Sequence, residues 1–264
     1  PRHDQFKISS LNVFIKPIEN LSRTFVKHPF VPASIKEFDS RAQEILNIQS
    51  TGLARRMISA HTEKLIIGLS GGLDSTLAFL VCLETLKSRA IEQKNLIAVT
   101  LPGPGTSEHT LQSVHELTES VDLKVREIKI HTAVDQHLRD IQHSGNTDTV
   151  FENAQARERT QVLFDLANQE AGIVVGTGDL SELALGWCTF NADQMSNYNV
   201  NVSVPKTMII YLVEWYAKHK ASKNLALALK RVIDTPISPE LIPPQQGEIQ
   251  QKTEEVIGPY ELHD

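Results

Sequence analysis

Leu65-Ile66-Ile67-Gly68-Leu69-Ser70-Gly71-Gly72-Leu73-Asp74-Ser75 runs from a short apolar segment through a glycine turn into residues 76–87, where Ala78, Phe79, Val81 and Leu83 are apolar. A continuous apolar run of this length reads as a strand buried on both faces, and the segment after it as a helix. Backbone amides of a loop that enters a helix N-terminus form a cradle for anions, so the turn reads as a phosphate loop. It lacks the lysine of the G-x-x-x-x-G-K-[ST] loop and the third glycine of G-x-G-x-x-G, so neither the usual NTPase nor the usual dinucleotide pattern applies. The carboxylate of Asp74 would repel a bound phosphate unless a hard divalent cation lay between them, which makes Asp74 a candidate magnesium ligand. The same residues also suit a plain tight turn, with Ser70 or Ser75 capping and Asp74 favouring the helix dipole.

Working outward, the strand, turn and helix unit repeats. Strands are expected at 96–101, 125–130 and 173–176, and helices at 111–120, 134–141, 150–169 and after Leu180, with a last helix at 206–218. Alternation of this kind implies an α/β fold with a parallel sheet covered by helices on both faces. Loops leaving Ser70, Pro102 and Thr177 then converge at the carboxyl ends of the strands, where such sheets bind ligands. Ahead of the sheet, Ser34 and Glu37 have capping-box spacing, and Ile35, Phe38, Ala42, Ile45, Leu46, Ile48, Leu53 and Met57 recur at helical spacing up to Ile58. Residues 1–33 read as an irregular arm and 34–264 as the main domain. Five of the 12 prolines fall within 235–259, so 235–264 reads as an extended tail.

Three further stretches are rich in site-type residues. Gly176-Thr177-Gly178-Asp179-Leu180-Ser181-Glu182-Leu183-Ala184-Leu185-Gly186-Trp187 is another strand-to-helix turn. Thr177 suits a nucleotide contact, and Glu182 could complete a magnesium shell with Asp74; equally, Asp179 and Glu182 suit a helix start. In Glu152-Asn153-Ala154-Gln155-Ala156-Arg157-Glu158-Arg159, Asn153 and Arg157 are four apart and share a helix face, which suits a phosphorylated ligand or an ordinary solvated face. The polar stretch 191–201 reads as a binding loop or simply as a loop, and Lys206 after Pro205 is either the positive charge that the first loop lacks or an ordinary exposed lysine.

A formal net charge of −6 argues against a nucleic-acid-binding protein, and no apolar run approaches the ~18 residues of a membrane span. With no secretory pattern at the start, a cytoplasmic address is expected. Cys82 and Cys188 have no metal-ligand spacing and read as reduced thiols. A first residue of proline suggests a fragment or processed chain.

Taken together, S-G-G-L-D-S, E-N-A-Q-A-R-E-R, G-T-G-D-L-S-E-L-A-L-G-W and V-P-K-T resemble, in this order, the NAD synthetase family of the ATP pyrophosphatase superfamily, whose adenine nucleotide alpha hydrolase-like fold is then implied. Asn47-Ile48-Gln49, Pro236-Ile237-Ser238-Pro239-Glu240-Leu241 and Gly258-Pro259-Tyr260-Glu261-Leu262-His263-Asp264 are similar to the synthetase half of the large glutamine-dependent type. The resemblance implies amidation of deamido-NAD to NAD through an acyl-adenylate, with ATP converted to AMP and pyrophosphate. By it, Gly68, Leu69, Ser70, Gly71, Gly72, Leu73, Asp74 and Ser75 hold the ATP phosphates, and Thr177, Lys206 and Ser238 also contact ATP. Asp74 and Glu182 carry Mg2+, and Asp74 and Lys206 are the catalytic pair. Asn153, Arg157, Glu182, Trp187, Cys188, Thr189, Phe190 and Asn197 hold deamido-NAD. Small family members have lysine where this chain has Phe190, aspartate at Asn197 and threonine at Ser238. The resemblance further implies a homodimer and a supply of ammonia that is free or comes from a separate glutaminase. Other ATP pyrophosphatases, a non-catalytic nucleotide-binding remnant and a Rossmann dehydrogenase are the alternatives, the last weakened because Ser181 stands where the third glycine would be.

Overall fold

The structure, a computed structural model, describes residues 9–14, 22–26, 28–235, 241 and 253–263. Five parallel strands run β1 (Leu65–Gly68), β2 (Leu96–Thr100), β3 (Arg126–Glu127), β4 (Ile173–Gly176) and β5 (Tyr198–Asn199), in spatial order β3-β2-β1-β4-β5. Leu65 is in register with both Leu96 and Ile173, so the chain order reverses between β1 and β4. That crevice is where an open parallel sheet binds ligands.

Side-chain alternation along the strands divides the core in two. Leu65, Ile67, Leu96, Ala98, Ile173 and Val175 point to one face, and Ile66, Ile97, Val99 and Val174 to the other. The first face is covered by α1 (Ile35–Ser59), α2 (Leu73–Ser88), α3 (Glu108–Glu119), α7 (Lys206–His219) and α8 (Lys223–Ile233), and the second by α4 (His131–Asp140) and α5 (Thr149–Glu170). Each fully buried leucine or isoleucine contributes roughly 1.5–3 kcal/mol. The short α6 (Leu180–Leu185) follows β4, and α9 (Thr253–Ile257) lies near the end of the chain. Helix α2 is apolar nearly all round because it is central, with Leu77 through Cys82 fully buried. Burial pushes the Cys82 thiol up. Glu84 ties α2 to α7: it accepts from the Tyr216 hydroxyl at 2.9 Å and pairs with Lys220 at 2.6 Å.

Several expectations need correction. Ile48, expected in the apolar stripe of α1, is 66% exposed, because it lies two residues, about 200° of helix, from the buried Leu46. The third strand reduces to two residues, although Ile128 and Ile130 still donate to Thr100 and Pro102 carbonyls. The helix at 206–218 is not the last: Ser222 caps α8, whose Leu225, Ala228, Leu229 and Val232 are buried at helical spacing. Residues 198–199 of the polar stretch form β5. Described residues 9–14 are irregular and exposed. Most of the 235–264 tail lies outside the described residues; Leu241, Thr253 and Tyr260 are buried. No helix among the described residues is long and apolar enough to cross a membrane.

Candidate active site

A cavity of about 780 Å³ opens at the carboxyl ends of β1, β2 and β4. All of Gly68 through Ser75 line it, with Leu101 and Thr106 from the loop after β2 and Thr177 and Gly178 from the turn after β4. The three expected loops therefore meet.

The first loop is held by its own side chains. Gly72 N donates to Ser70 Oγ at 3.2 Å, Ser75 Oγ donates to the Gly72 carbonyl at 3.1 Å, and the two serine hydroxyls lie 3.1 Å apart. Gly71 has φ +84°, and a Cβ there would stand 2.6 Å from the Thr110 carbonyl oxygen, so the loop requires glycine at this position. Leu73, Asp74 and Ser75, whose first-turn amides in α2 have no intrahelical acceptor, all line the cavity.

Lys206, at the start of α7, reaches this loop from 132 residues away in sequence. Its ammonium is buried and pairs with three carboxylates: Asp74 at 2.6 Å, Asp179 at 2.6 Å and Glu182 at 3.0 Å. The Tyr260 ring lies 5.6 Å from the same nitrogen. The reading of Asp179 and Glu182 as helix-start residues also holds, because each splits its two oxygens. Asp179 Oδ1 accepts from Glu182 N at 2.8 Å and Glu182 Oε2 accepts from Asp179 N at 3.2 Å, which leaves Asp179 Oδ2 and Glu182 Oε1 for Lys206.

Three carboxylates against one ammonium leave the cluster with excess negative charge. Burial, and then the neighbouring Asp74 charge, pushes Asp179 up to about 6 and Glu182 up to about 7. Burial opposes the charge on Lys206, but Asp74, Glu182 and Asp179 outweigh it and hold the lysine well above its ordinary value. One ligand oxygen from each of Asp74, Asp179 and Glu182 lies within 4.8 Å of the others, and Asp74 Oδ1 and Asp179 Oδ2 are both buried with no hydrogen-bond partner among the described residues, the latter meeting Lys206 as an ion pair only. Hard oxygen donors, an orphaned carboxylate oxygen and surplus negative charge fit a divalent cation such as magnesium.

Asn153 and the run Trp187, Cys188, Thr189 and Phe190 also line the cavity. Asn153 and Arg157 share one face of α5 as expected, and both engage the backbone of Phe190: Asn153 Oδ1 accepts from Phe190 N at 2.8 Å and Arg157 Nε donates to Phe190 O at 3.1 Å. The Arg157 guanidinium also lies 5.8 Å from the Phe190 ring. Arg157 itself does not line the cavity. Asn197 does not line it either: its Oδ1 accepts from Val174 N at 2.8 Å and its N donates to Val174 O at 3.0 Å, extending the pairing of β4. Ser238 lies outside the described residues.

Three residues of the site had no site role assigned from the sequence. Asp179 carries only a helix-start signal in the sequence. Tyr260 appeared only in a motif of resemblance. Asn201 closed a polar stretch read as a loop, yet it is fully buried: its amide donates to the Asp74 carbonyl at 2.9 Å and the Thr177 carbonyl at 3.1 Å, and accepts from Gln49 at 3.1 Å. It thereby fixes the α2 and β4 turns relative to each other.

Residues 45–264 match the NAD synthase family model. Among curated relatives, the glutamine-dependent NAD(+) synthetase of Mycobacterium leprae is 40% identical over 257 residues, covering 94% of this chain and 38% of that protein. The Thermotoga maritima protein of the same description is 27% identical over 227 residues, covering 85% of this chain and 37% of that one. The chain thus spans less than two-fifths of either relative. Among solved structures, the NMN synthetase from Francisella tularensis superposes with a TM-score of 0.67 at 25% identity, covering 83% of each chain. The glutamine-dependent NAD+ synthetase from Acinetobacter baumannii, in complex with ADP, gives 0.66 at 25% identity, covering 73% of this chain and 36% of that one.

Proposed function

The chain belongs to the NAD synthase family, and from that premise we propose that it converts the nicotinate carboxylate of deamido-NAD to the amide of NAD. ATP is the co-substrate and leaves as AMP and pyrophosphate. The observation that carries this reading is the meeting of the Ser70–Ser75 loop with Lys206, Asp74 and Glu182 in one cavity, with Asp179 buried against the same ammonium.

Direct attack of ammonia on a carboxylate has no usable leaving group. In the first step a carboxylate oxygen of the acceptor therefore attacks the α-phosphorus of ATP and pyrophosphate departs. In the second, ammonia adds to the acyl carbon, loses a proton and expels AMP. Gly68 through Ser75 would seat the phosphates on the backbone amides of the loop and of the α2 N-terminus. Lys206 would supply the fixed positive charge that faces the departing pyrophosphate, and such preorganised charge is commonly the largest contribution to catalysis. Asp74 and Glu182 would hold Mg2+, which when bound neutralises phosphate charge. Thr177 would contact ATP from the β4 turn, and Ser238 from the tail. Asn153 and Arg157 would act on the dinucleotide mainly by holding the Trp187–Phe190 run, which with Glu182 lines its place. Asn197 would act through β4 rather than by contact. We assign the arm at 1–33, the main domain at 34–264, the homodimer, the separate ammonia source and the cytoplasmic setting as parts of the same reading.

The test is formation of NAD, AMP and pyrophosphate in equal amounts from deamido-NAD, ATP, magnesium and ammonium, with glutamine alone as a second nitrogen source. Nicotinate mononucleotide is run in parallel, because one structural neighbour is described as an NMN synthetase. NAD from ammonium supports the reading. NMN in place of NAD overturns the choice of acceptor, and ATP binding without either product overturns the catalytic reading in favour of a non-catalytic nucleotide-binding protein.

A further inference from the structure

The three carboxylates around Lys206 are not equivalent. The Asp74 and Glu182 side chains are 23% and 24% exposed and face the cavity, whereas Asp179 is fully enclosed behind the ammonium. Asp74 and Glu182 line the cavity where a cation would bind, and a cation that engaged either would draw on a carboxylate whose charge also faces Lys206. Asp179 is the one of the three that does not line the cavity. It is itself fixed from the other side, since Oδ1 caps α6 through Glu182 N and only Oδ2 faces Lys206. The Lys206 backbone is pinned too, its N donating to Ser181 Oγ at 3.0 Å. The ammonium is therefore anchored through both the main chain and the tip of its side chain to the first turn of α6.

We infer that Asp179 is a positioning residue, whose buried Oδ2 holds the Lys206 ammonium at the mouth of the Ser70–Ser75 loop while Asp74 and Glu182 serve the cation. The inference deepens the proposed adenylation and rests on it for the meaning of the charge, though not for the geometry. Asp179 touches no substrate in this account; it acts through Lys206.

Asp179→Asn separates the two jobs of the side chain, because asparagine caps a helix as well as aspartate but carries no charge for the ammonium. Asp179→Ala removes both. The experiment is a double-mutant cycle of Asp179→Asn with Lys206→Met, read in two ways: calorimetric binding of pyrophosphate in the presence of magnesium, and kcat and KM for NAD formation. Loss of one buried charge-assisted contact predicts that Asp179→Asn lowers pyrophosphate affinity and kcat by roughly ten- to a hundredfold. KM for deamido-NAD and the unfolding midpoint should stay close to wild type, whereas Asp179→Ala should show a similar kcat loss together with a lower midpoint. In the Lys206→Met background the asparagine should change either readout by less than about twofold, since its partner is gone. Equal losses in both backgrounds, or no loss in the single variant, would overturn the assignment. If the wild-type protein made no NAD the proposed function would fail, while the pyrophosphate cycle would still decide whether Asp179 works through Lys206.

Discussion

Gly71 and Gly72 are adjacent in the same loop, yet alanine should be costly at one and almost neutral at the other. At Gly71 the backbone has φ +84°, and a Cβ would come within 2.6 Å of the Thr110 carbonyl oxygen and 2.7 Å of Thr110 Cγ2. The left-handed conformation alone disfavours an L-residue by about 1–2 kcal/mol, and overpacking against backbone adds about 1–3 kcal/mol. The expected loss of about 2–5 kcal/mol corresponds to an unfolding midpoint lowered by roughly 4–20 °C for a chain of this size. At Gly72, φ is −86° and the nearest atom to a new Cβ is Ser70 Oγ at 3.4 Å. There the poorer cap and the reduced freedom of the unfolded chain offset each other to within about 1 kcal/mol. Thermal unfolding of the two variants beside wild type is the assay. Equal destabilisation by both substitutions, or a Gly71→Ala protein as stable as wild type, would refute the placement of Thr110 behind the loop.

Asp74→Asn should lower kcat by roughly a hundred- to a thousandfold and abolish the rise in unfolding midpoint that magnesium gives the wild-type protein, checked by kinetics and by thermal shift with and without the metal. Arg157→Ala removes the donor to the Phe190 carbonyl, so KM for deamido-NAD should rise by roughly threefold to tenfold while KM for ATP stays unchanged in steady-state kinetics. Glu84 gives a prediction in pH. Burial pushes its carboxyl up, but the bonds to Lys220 and Tyr216 prevail and hold it below the ordinary glutamate value. A group depressed on folding stabilises the protein above its unfolded pKa, and that contribution is lost as pH falls through the folded pKa. Denaturant unfolding from about pH 7 down to about pH 3 should therefore show a smaller acid loss for Glu84→Gln than for wild type.

The parts of this fold that the sequence discloses are those whose signal is local. The β1 strand is a run of large apolar residues, the loop after it carries two adjacent glycines, and α1 opens on a serine cap ahead of apolar residues at helical spacing. The β5 strand is two polar residues that pair only because β4 lies beside them, and no periodicity announces it. Helix α8 did carry a signal, a serine cap with leucines at helical spacing, but it follows α7 so closely that the two blur. In the site, the motif residues were visible individually, but their arrangement was not. Nothing local to Lys206 shows that it is buried against Asp74, and nothing local to Asn201 shows that it joins the turns after β1 and β4. Asn153 and Arg157 were legible as neighbours on one helix face, whereas the Phe190 backbone they hold arrives from 37 and 33 residues further along.

The central claim, that this cavity activates a carboxylate as an acyl-adenylate, is tested most directly by following oxygen-18 from the carboxylate of labelled deamido-NAD during turnover with ATP, magnesium and ammonium. The account predicts that one labelled oxygen appears in the phosphate of AMP for each NAD formed, because the attacking carboxylate oxygen stays bonded to the α-phosphorus when ammonia displaces it. NAD formed with unlabelled AMP, and the label released instead into water or inorganic phosphate, would contradict it.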